Sequence, residues 1–428
     1  MLYYSLHNHE HKVSFKEAVL HGLAPDKGLY FPEKMTPLKD SFYNTIENYS
    51  NTEIAYECIK QFVGNAIPET ELKQIIDETL SFDFPLIEIE KDIYSLELFH
   101  GPTLAFKDVG ARFMSRCLSY FNHANAKTIV LVATSGDTGG AVASGFLGVK
   151  NTEVVILYPS GKVSEIQELQ LTTLGKNITA LEVAGTFDDC QEMVKKAFSD
   201  TELENLNLTS ANSINIARWL PQMFYYFFAY KALKERQKQI VFSCPSGNFG
   251  NICAGVMAKR LGLPISHFVA ATNANDTVPR FLKNGHYQPN KTIATLSNAM
   301  DVSDPSNFAR IQELYKNNAE NFFQDFTSYP FDDNKALETI KLIYENSQYI
   351  TEPHGVTGYL GLKKELENKN EAVGIFLETA HPIKFSETVE NALDLKLQVP
   401  NQLKDLFKKQ KVSIKIENYT DFKKFLSL

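Results

Sequence analysis

From residue 94 onward, short apolar runs alternate with stretches whose apolar residues recur at helical spacing. Residues 94–99 predict a short strand, broken by Gly101 and Pro102. Val109, Phe113, Cys117 and Phe121 then fall every fourth residue and predict a helix over 108–121, with Asp108 in its first turn. The pattern repeats. A buried strand over 128–133 leads through a glycine-bearing loop to a helix opening at 141–147, and a strand over 154–158 precedes a helix from Ser164. Next come a strand over 178–183 with a helix over 187–198, and a strand over 240–243 followed by a second glycine-bearing loop and a helix over 252–261. Further strands are predicted at 267–271 and 372–377, and a long aromatic helix over 214–233 that Pro221 kinks. This alternation implies an α/β chain with mostly parallel sheets covered on both faces by helices. In such sheets ligands bind at the carboxyl ends of the strands, and the glycine-bearing loops all follow strands.

The flanks read differently. Residues 1–93 form a separate leading segment with helices over 15–20 and 51–63 and a turn at 24–28. His7, His9 and His11 alternate there and predict a solvated strand face rather than a metal site, since no cysteine lies nearby and Glu10 points the other way. Residues 273–335 read as loop-rich. After residue 396 the tail predicts a helix over 403–411, a strand over 412–416 and a final helical turn or two over 420–428, all peripheral.

The 428 residues suffice for two or three domains, and 43% apolar with 22% charged residues can bury large cores. A formal charge of −8 speaks against nucleic acid or an anionic membrane as the main partner and leaves room for a local basic site. Five scattered cysteines without a CxxC imply neither a disulfide framework nor a zinc site and fit a reducing compartment. The first residues lack a basic stretch followed by an apolar core, and the longest apolar run, near 219–230, is too short for a membrane span. The expected location is the cytoplasm.

Lys107 is delivered at a strand-to-helix junction, just after Phe106. An amine held near apolar groups and a helix N-terminus loses basicity, which suits a Schiff-base nucleophile. The run SGNFG (246–250) follows a strand and opens a helix, so successive N–H groups and the helix end can hold a phosphate. It is neither a Walker A loop nor a GxGxxG turn. The run SGDTG (135–139) has the same setting. Two anion-holding loops and one such lysine point to a phosphorylated aldehyde cofactor. One loop would take its phosphate, the lysine its carbonyl carbon, and the other loop a substrate carboxylate. That is the arrangement pyridoxal 5′-phosphate needs.

Seven segments stand in order: FHGPTLAFKD (99–108), ATSGDTG (133–139), SANSINIAR (210–218), PSGNFG (245–250), ATNANDTVPR (271–280), LSNAMDV (296–302) and ETAHP (378–382). Together they resemble the threonine synthases, in the bacterial and fungal form with an extra N-terminal domain. The resemblance spans nearly the whole chain. It implies the type II fold of pyridoxal-phosphate enzymes: two open, mostly parallel twisted sheets flanked by helices, plus a smaller N-terminal domain. The corresponding division is 1–93 for the N-terminal domain, 94–125 and 205–428 for a large cofactor domain, and 126–204 for a small substrate-side domain. The resemblance further implies that Lys107 binds the cofactor covalently, that Gly247, Asn248, Phe249, Gly250 and Asn251 cradle its phosphate, and that the Thr379 hydroxyl faces its pyridine nitrogen. At Asn251 the family pattern also admits Asp, and the backbone there serves as well as the side chain. The implied reaction turns O-phospho-L-homoserine and water into L-threonine and phosphate, in a monomer or homodimer.

Ser135, Gly136 and Thr138 are the expected donors to the substrate carboxylate. Asp137, in the same loop, would repel that group unless it binds backbone N–H groups or is protonated. Ser160, Lys162, Asn215 and Arg218 are candidates for the leaving phosphate. His381 is a candidate to orient Thr379, and His100 is either a core or a functional histidine. No metal is expected. Another type II enzyme, such as a serine or threonine dehydratase, is the nearest alternative; a catalytically silent relative and a nucleotide-binding module are more distant ones.

Overall fold

The computed structural model describes residues 1–122, 127–317, 319–367, 369 and 371–427. Its described strands form three sheets. The first is small and antiparallel, in the order β2-β1-β3, from β1 (Leu2–Ser5), β2 (Lys12–Ser14) and β3 (Tyr30–Pro32). His7, His9 and His11 lie between β1 and β2, not on the strand face expected of them. Asn8 closes a turn there by accepting the Glu10 N–H at 3.1 Å, which ends the extended chain.

The second sheet contains β4 (Leu86–Glu90), β5 (Ile93–Glu97), β10 (Gln239–Pro245), β11 (His267–Thr272), β12 (Phe326–Pro330) and β13 (Ala372–Glu378). Its order is β12-β11-β10-β13-β5-β4, and every neighbour pair is parallel except β4 with β5. The third sheet contains β6 (Thr128–Ala133), β7 (Thr152–Pro159), β8 (Ile178–Val183), β9 (Asn207–Ser210) and β14 (Ile414–Ile416), all parallel, in the order β14-β8-β7-β6-β9.

Strand membership cuts across the expected division of the chain. β4 joins the six-stranded sheet although it precedes residue 94, and β9 and β14 join the five-stranded sheet although they follow residue 205. The tail is also more than peripheral. Ile416, Phe422 and Leu426 are buried in one core with Leu157 and Leu181. Ahead of them, the expected 403–411 helix is only a turn, Asn401–Lys404, then a 3-10 turn.

Most strand-helix steps agree with the periodicity, and the exceptions have local causes. Ser164 caps helix Glu165–Thr172 with a reciprocal Gln167 bond. The expected 214–233 helix is interrupted: Ile216–Trp219 and Phe224–Leu233 are joined by a 3-10 turn, Leu220–Met223, that holds Pro221. The stretch expected to be loop-rich contains helices Thr277–Asn284 and Phe308–Tyr315 besides β12. Prolines 279, 289 and 305 interrupt its apolar spacing and conceal them. Among the described residues no helix is long and apolar enough to cross a membrane.

The leading segment is bolted on by Arg310, which is fully buried. Its guanidinium donates to the Tyr30 carbonyl at 3.0 Å, the Ile214 carbonyl at 2.7 Å and the Asn307 side chain at 2.8 Å, and lies 4.4 Å over the Trp219 ring. Burial lowers its pKa to about 10, so it stays cationic at neutral pH. Arg310→Met would keep the volume and strand three buried acceptors. We expect a loss of about 3 kcal/mol or more of stability, seen as a lower urea midpoint, with the leading segment the first part cut in limited proteolysis.

Candidate active site

Lys107 opens helix Lys107–Phe121, one residue before the expected start. The loop between β5 and this helix is folded back on itself. Thr103 donates to the Asp108 carboxylate through its N–H at 2.9 Å and its hydroxyl at 2.6 Å. Gly101 is required beside that carboxylate, since a Cβ there would stand 2.4 Å from Asp108 Oδ2. Leu104 is forced to a φ of +58°, a left-handed conformation costing a leucine roughly 1–2 kcal/mol. In return the loop zips to the end of β13. The Phe106 N–H donates to the Thr379 carbonyl at 2.9 Å, and the His381 N–H to the Leu104 carbonyl at 3.0 Å. Lys107 and Thr379 are thereby brought together from opposite ends of the sequence.

The Lys107 side chain keeps a partly open face. Its ammonium lies 5.7 Å from the centre of the Phe106 ring and makes no hydrogen bond or ion pair among the described residues. Surrounding protein strips enough water from it that burial lowers its pKa to about 8; Lys384 and Arg218 push the same way, against Asp137 and Glu352.

β10 lies beside β13, so its outgoing turn emerges next to Thr379. That turn leads to helix Gly250–Arg260, whose first N–H groups have no partner within the helix. A Cβ at Gly247 would lie 2.7 Å from Met300 Cα and 3.0 Å from the Ala299 carbonyl, so only glycine fits against this wall. Phe249 takes a φ of +58°, turning the backbone toward the helix. Asn248 shapes the turn: its amide donates to Ser213 Oγ at 2.7 Å and its carbonyl oxygen accepts the Ser306 N–H at 2.7 Å. The Asn251 side chain is turned away, accepting from the Tyr225 and Tyr226 hydroxyls at 2.6 and 3.0 Å. Its oxygen is thereby taken up, while its buried Nδ2 has no hydrogen-bond partner among the described residues.

The Ala299–Met300 wall is itself held on two sides. The Asn273 amide donates to Asp301 Oδ1 at 2.9 Å and to Thr295 Oγ1 at 2.8 Å, and burial pushes Asp301 up to about 6. From the other side, His354 Nε2 accepts the Ala299 N–H at 3.2 Å, while Nδ1 of the same ring faces the buried Glu352 carboxylate.

The third loop follows β6. Thr134 Oγ1 accepts the Gly136 and Gly139 N–H groups, both at 2.9 Å, drawing the loop into a tight start for helix Asp137–Phe146. Gly136 backs onto Gln167, and the Ser135 and Thr138 side chains stay half-exposed at the mouth. Asp137 is buried and accepts from Lys384 Nζ at 2.6 Å and Gln167 Nε2 at 2.9 Å. Burial alone would raise its carboxyl, but Lys384 and then Lys107 outweigh it and hold the group well below the usual carboxylate range. Asp137 is therefore ionised and paired, although neither through backbone N–H groups nor by protonation, the two escapes its sequence position suggested.

The candidates for a leaving phosphate separate. Arg218 is buried beneath the Lys107 helix, bonded to the Ala211 carbonyl, with its Nε unpartnered and its pKa lowered to about 10 by burial. Asn215 is a correction: its amide donates to the Val19 and Ser210 carbonyls at 2.9 and 3.2 Å and its oxygen caps helix Ile216–Trp219 through the Ala217 N–H, leaving nothing for a substrate. Ser160 and Lys162 are exposed at the outgoing end of β7, where Ser160 donates to Glu182 at 2.5 Å. His381 accepts the Ile383 N–H at 3.1 Å and packs on Phe99, and burial lowers its pKa to about 4. It shapes a turn as a neutral ring. His100 is exposed and bonded to Glu97 at 2.7 Å, so it is not a core histidine.

Sequence reasoning missed Lys384, Glu352 and His354. The signal for Lys384 was a lone lysine between Ile383 and Phe385, and for the other two the turn chemistry of Thr351-Glu-Pro-His-Gly.

Three families match the chain: pyridoxal-phosphate dependent enzymes over residues 84–377, the threonine synthase N terminus over 2–80 and the threonine synthase C-terminal region over 355–426. A threonine synthase of Buchnera aphidicola from Acyrthosiphon pisum is 46% identical over 411 residues, covering 95% of this chain and 94% of the relative. The crystal structure of threonine synthase from Escherichia coli superposes with a TM-score of 0.94 at 42% identity, covering 100% of this chain and 99% of that one. A pyridoxal-phosphate-bound threonine synthase from Brucella melitensis gives a TM-score of 0.93 at 33% identity, covering 100% and 98%. With three family models reaching from residue 2 to 426 and relatives matched over nearly their full length, the chain belongs to the threonine synthase family of pyridoxal-phosphate-dependent enzymes.

Proposed function

We propose that the cleft around Lys107 converts O-phospho-L-homoserine and water into L-threonine and phosphate, with the residues of the three loops in the roles given below. The observation that carries this reading is the amine of Lys107, left without a partner where the loop after β5 meets Thr379.

Pyridoxal 5′-phosphate fits the residues present. The turn at Gly247 has no room for a side chain and offers backbone N–H groups, as a phosphate cradle requires. Lys107 has the depressed pKa of a nucleophilic amine, and Thr379 follows the strand beside the turn. Gly247, Asn248, Phe249, Gly250 and the Asn251 backbone would hold the phosphate, Lys107 the aldehyde carbon, and the Thr379 hydroxyl the ring nitrogen. When bound, the cofactor supplies an electron sink for negative charge on carbons near the substrate amine.

The chain's own residues do the rest. Lys107, neutral above about pH 8, takes the substrate Cα proton and returns protons as the reaction advances. Ser135, Gly136 and Thr138 receive the substrate carboxylate. Asp137 does not repel it, because Lys384 balances its charge. Arg218, a buried cation beneath the Lys107 helix with an unpartnered Nε, would draw the phosphate that leaves Cγ, with Lys162 and Ser160 at the outer rim. The Cγ–O bond breaks as phosphate leaves, one Cβ proton is removed and a proton is placed on Cγ; the hydroxyl of water joins Cβ and its other proton goes to the phosphate, so the four-carbon chain and its amine are kept.

Three outcomes test the reading. Lys107→Ala is expected to lose covalent cofactor retention and at least about a thousandfold of turnover. Purified protein should release phosphate and threonine from O-phospho-L-homoserine in equal amounts and leave L-serine and L-threonine unchanged; deamination of either would favour a dehydratase instead. Gly247→Asp should weaken cofactor affinity about a hundredfold or more by filling the cradle with a charge, measured by equilibrium titration with pyridoxal phosphate. Unchanged affinity would remove the turn from the site.

A further inference from the structure

Two ammonium groups and one carboxylate meet where the two large sheets face each other. Asp137 comes from the end of β6, Lys384 from the turn after β13, and Lys107 from the loop after β5. Asp137 and Lys384 are both buried and stand 2.6 Å apart. Lys384 also donates to the Thr103 carbonyl at 3.0 Å, which anchors it to the loop that delivers Lys107. The same carbonyl accepts from Gln170 at 3.1 Å, and the neighbouring Gln167 bonds Asp137 at 2.9 Å. Lys384 is thus fixed by two acceptors, one on each side of the cleft, while Lys107 has none.

We propose that Lys384 is a positioning residue for the reaction: by engaging Asp137 across the cleft it keeps that carboxylate from pairing with Lys107, and so leaves the Lys107 amine free to act. The inference rests on Lys107 being the reactive amine. The reason Lys384 is needed is charge accounting. The groups that act on Lys107 are Asp137, Lys384, Arg218 and Glu352. Asp108, next in its own helix, is bonded to Thr103. Glu352 is satisfied by His354 and the Gly355 N–H, and Arg218 is tied to the Ala211 carbonyl. Asp137 is the one anion of this set whose partner is a side-chain ammonium. Remove that ammonium and the remaining cation within reach is Lys107 itself, which would be drawn into an ion pair and held protonated. Loss of Lys384 also removes a repulsion, so both effects act in the same direction.

The test follows the reactivity of Lys107 rather than turnover. The full-length protein, freed of cofactor, is labelled with an amine-acylating reagent across a pH series, and modification at Lys107 is quantified by mass spectrometry. The wild-type midpoint is expected near the pKa of about 8. Lys384→Met should raise it by about one pH unit or more, a tenfold loss of reactive amine at a given pH, and Lys384→Arg should restore it toward wild type. Asp137→Asn should lower it. The reconstituted holoenzyme gives a second readout, since the pH midpoint of its visible absorbance should shift in the same directions. An unmoved midpoint in both Lys384→Met and Asp137→Asn overturns the inference while leaving the function of Lys107 intact. Failure of Lys107 to bind pyridoxal phosphate at all overturns the reading beneath it. Should Lys384→Met not fold, Lys384→Gln, which keeps donors to Asp137 and the Thr103 carbonyl but carries no charge, takes its place with the same expected rise and the same overturning result.

Discussion

A buried carboxylate is tolerable only when a charge or several donors stand against it. Asp137 meets that condition through Lys384 and Gln167. The pair joins the segment after β6 to the turn after β13, and so ties the five- and six-stranded sheets together at the cleft, beside the apolar core they share. It also decides which lysine is chemically available. Lys384 is neutralised and immobile. Lys107, with the same intrinsic basicity, is left to the desolvation that lowers its pKa. The amine is made active by its own burial, and satisfying its neighbour keeps Asp137 from undoing that effect.

Parallel strands convert this local constraint into a site. β5, β13 and β10 lie side by side and run the same way, so their following segments leave the sheet along one rim. The first delivers Lys107, the second Thr379 and Lys384, the third the Gly247 turn. β6 of the other sheet contributes Asp137. Residues separated by up to about 280 positions in the chain are thereby gathered without any long-range loop. The strain at Leu104 and Phe249 is a local consequence. Both stand within three residues of a helix start, where the chain arriving from a strand turns into the helix.

Much of this was legible in the sequence. Strands 128–133 and 178–183 have the boundaries expected from their apolar runs, because a strand buried on both faces has no other way to be written. The loops with glycine at their turns were legible for a similar reason: Gly247 and Gly101 occupy positions where backbone and side chain leave no space for a Cβ. What stayed hidden depends on tertiary partners. Lys384 reads as an ordinary lysine until Asp137 is placed beside it. Asn215 reads as a plausible anion ligand until Val19, nearly 200 residues earlier, takes up its amide. The strand expected over 412–416 does form, as Ile414–Ile416, and what was hidden is its place on the open edge of β8. The triplet His7, His9 and His11 had the periodicity of a strand, but Asn8 bends the chain before a ladder can form.

On the proposed assignment of residues, the two anions the cleft must handle would be held by different means, and the difference has a physical logic. The Gly247 turn offers backbone N–H groups, a helix N-terminus and a wall of neutral amides, with no lysine or arginine bonded to it. Lys107, Arg218 and Lys384 gather instead around Asp137 and the Lys107 helix. A cofactor phosphate keeps its charge throughout a turnover, so fixed dipoles suffice and no neighbouring cation is needed to answer a change. A substrate phosphate that breaks from carbon gains charge as it leaves, and a cation within reach stabilises that later state more than the earlier one. Placing the cations at the second anion and withholding them from the first puts the strongest electrostatic response where charge develops. Lys384 completes the arrangement: by pairing with Asp137 it keeps that carboxylate from weakening the response.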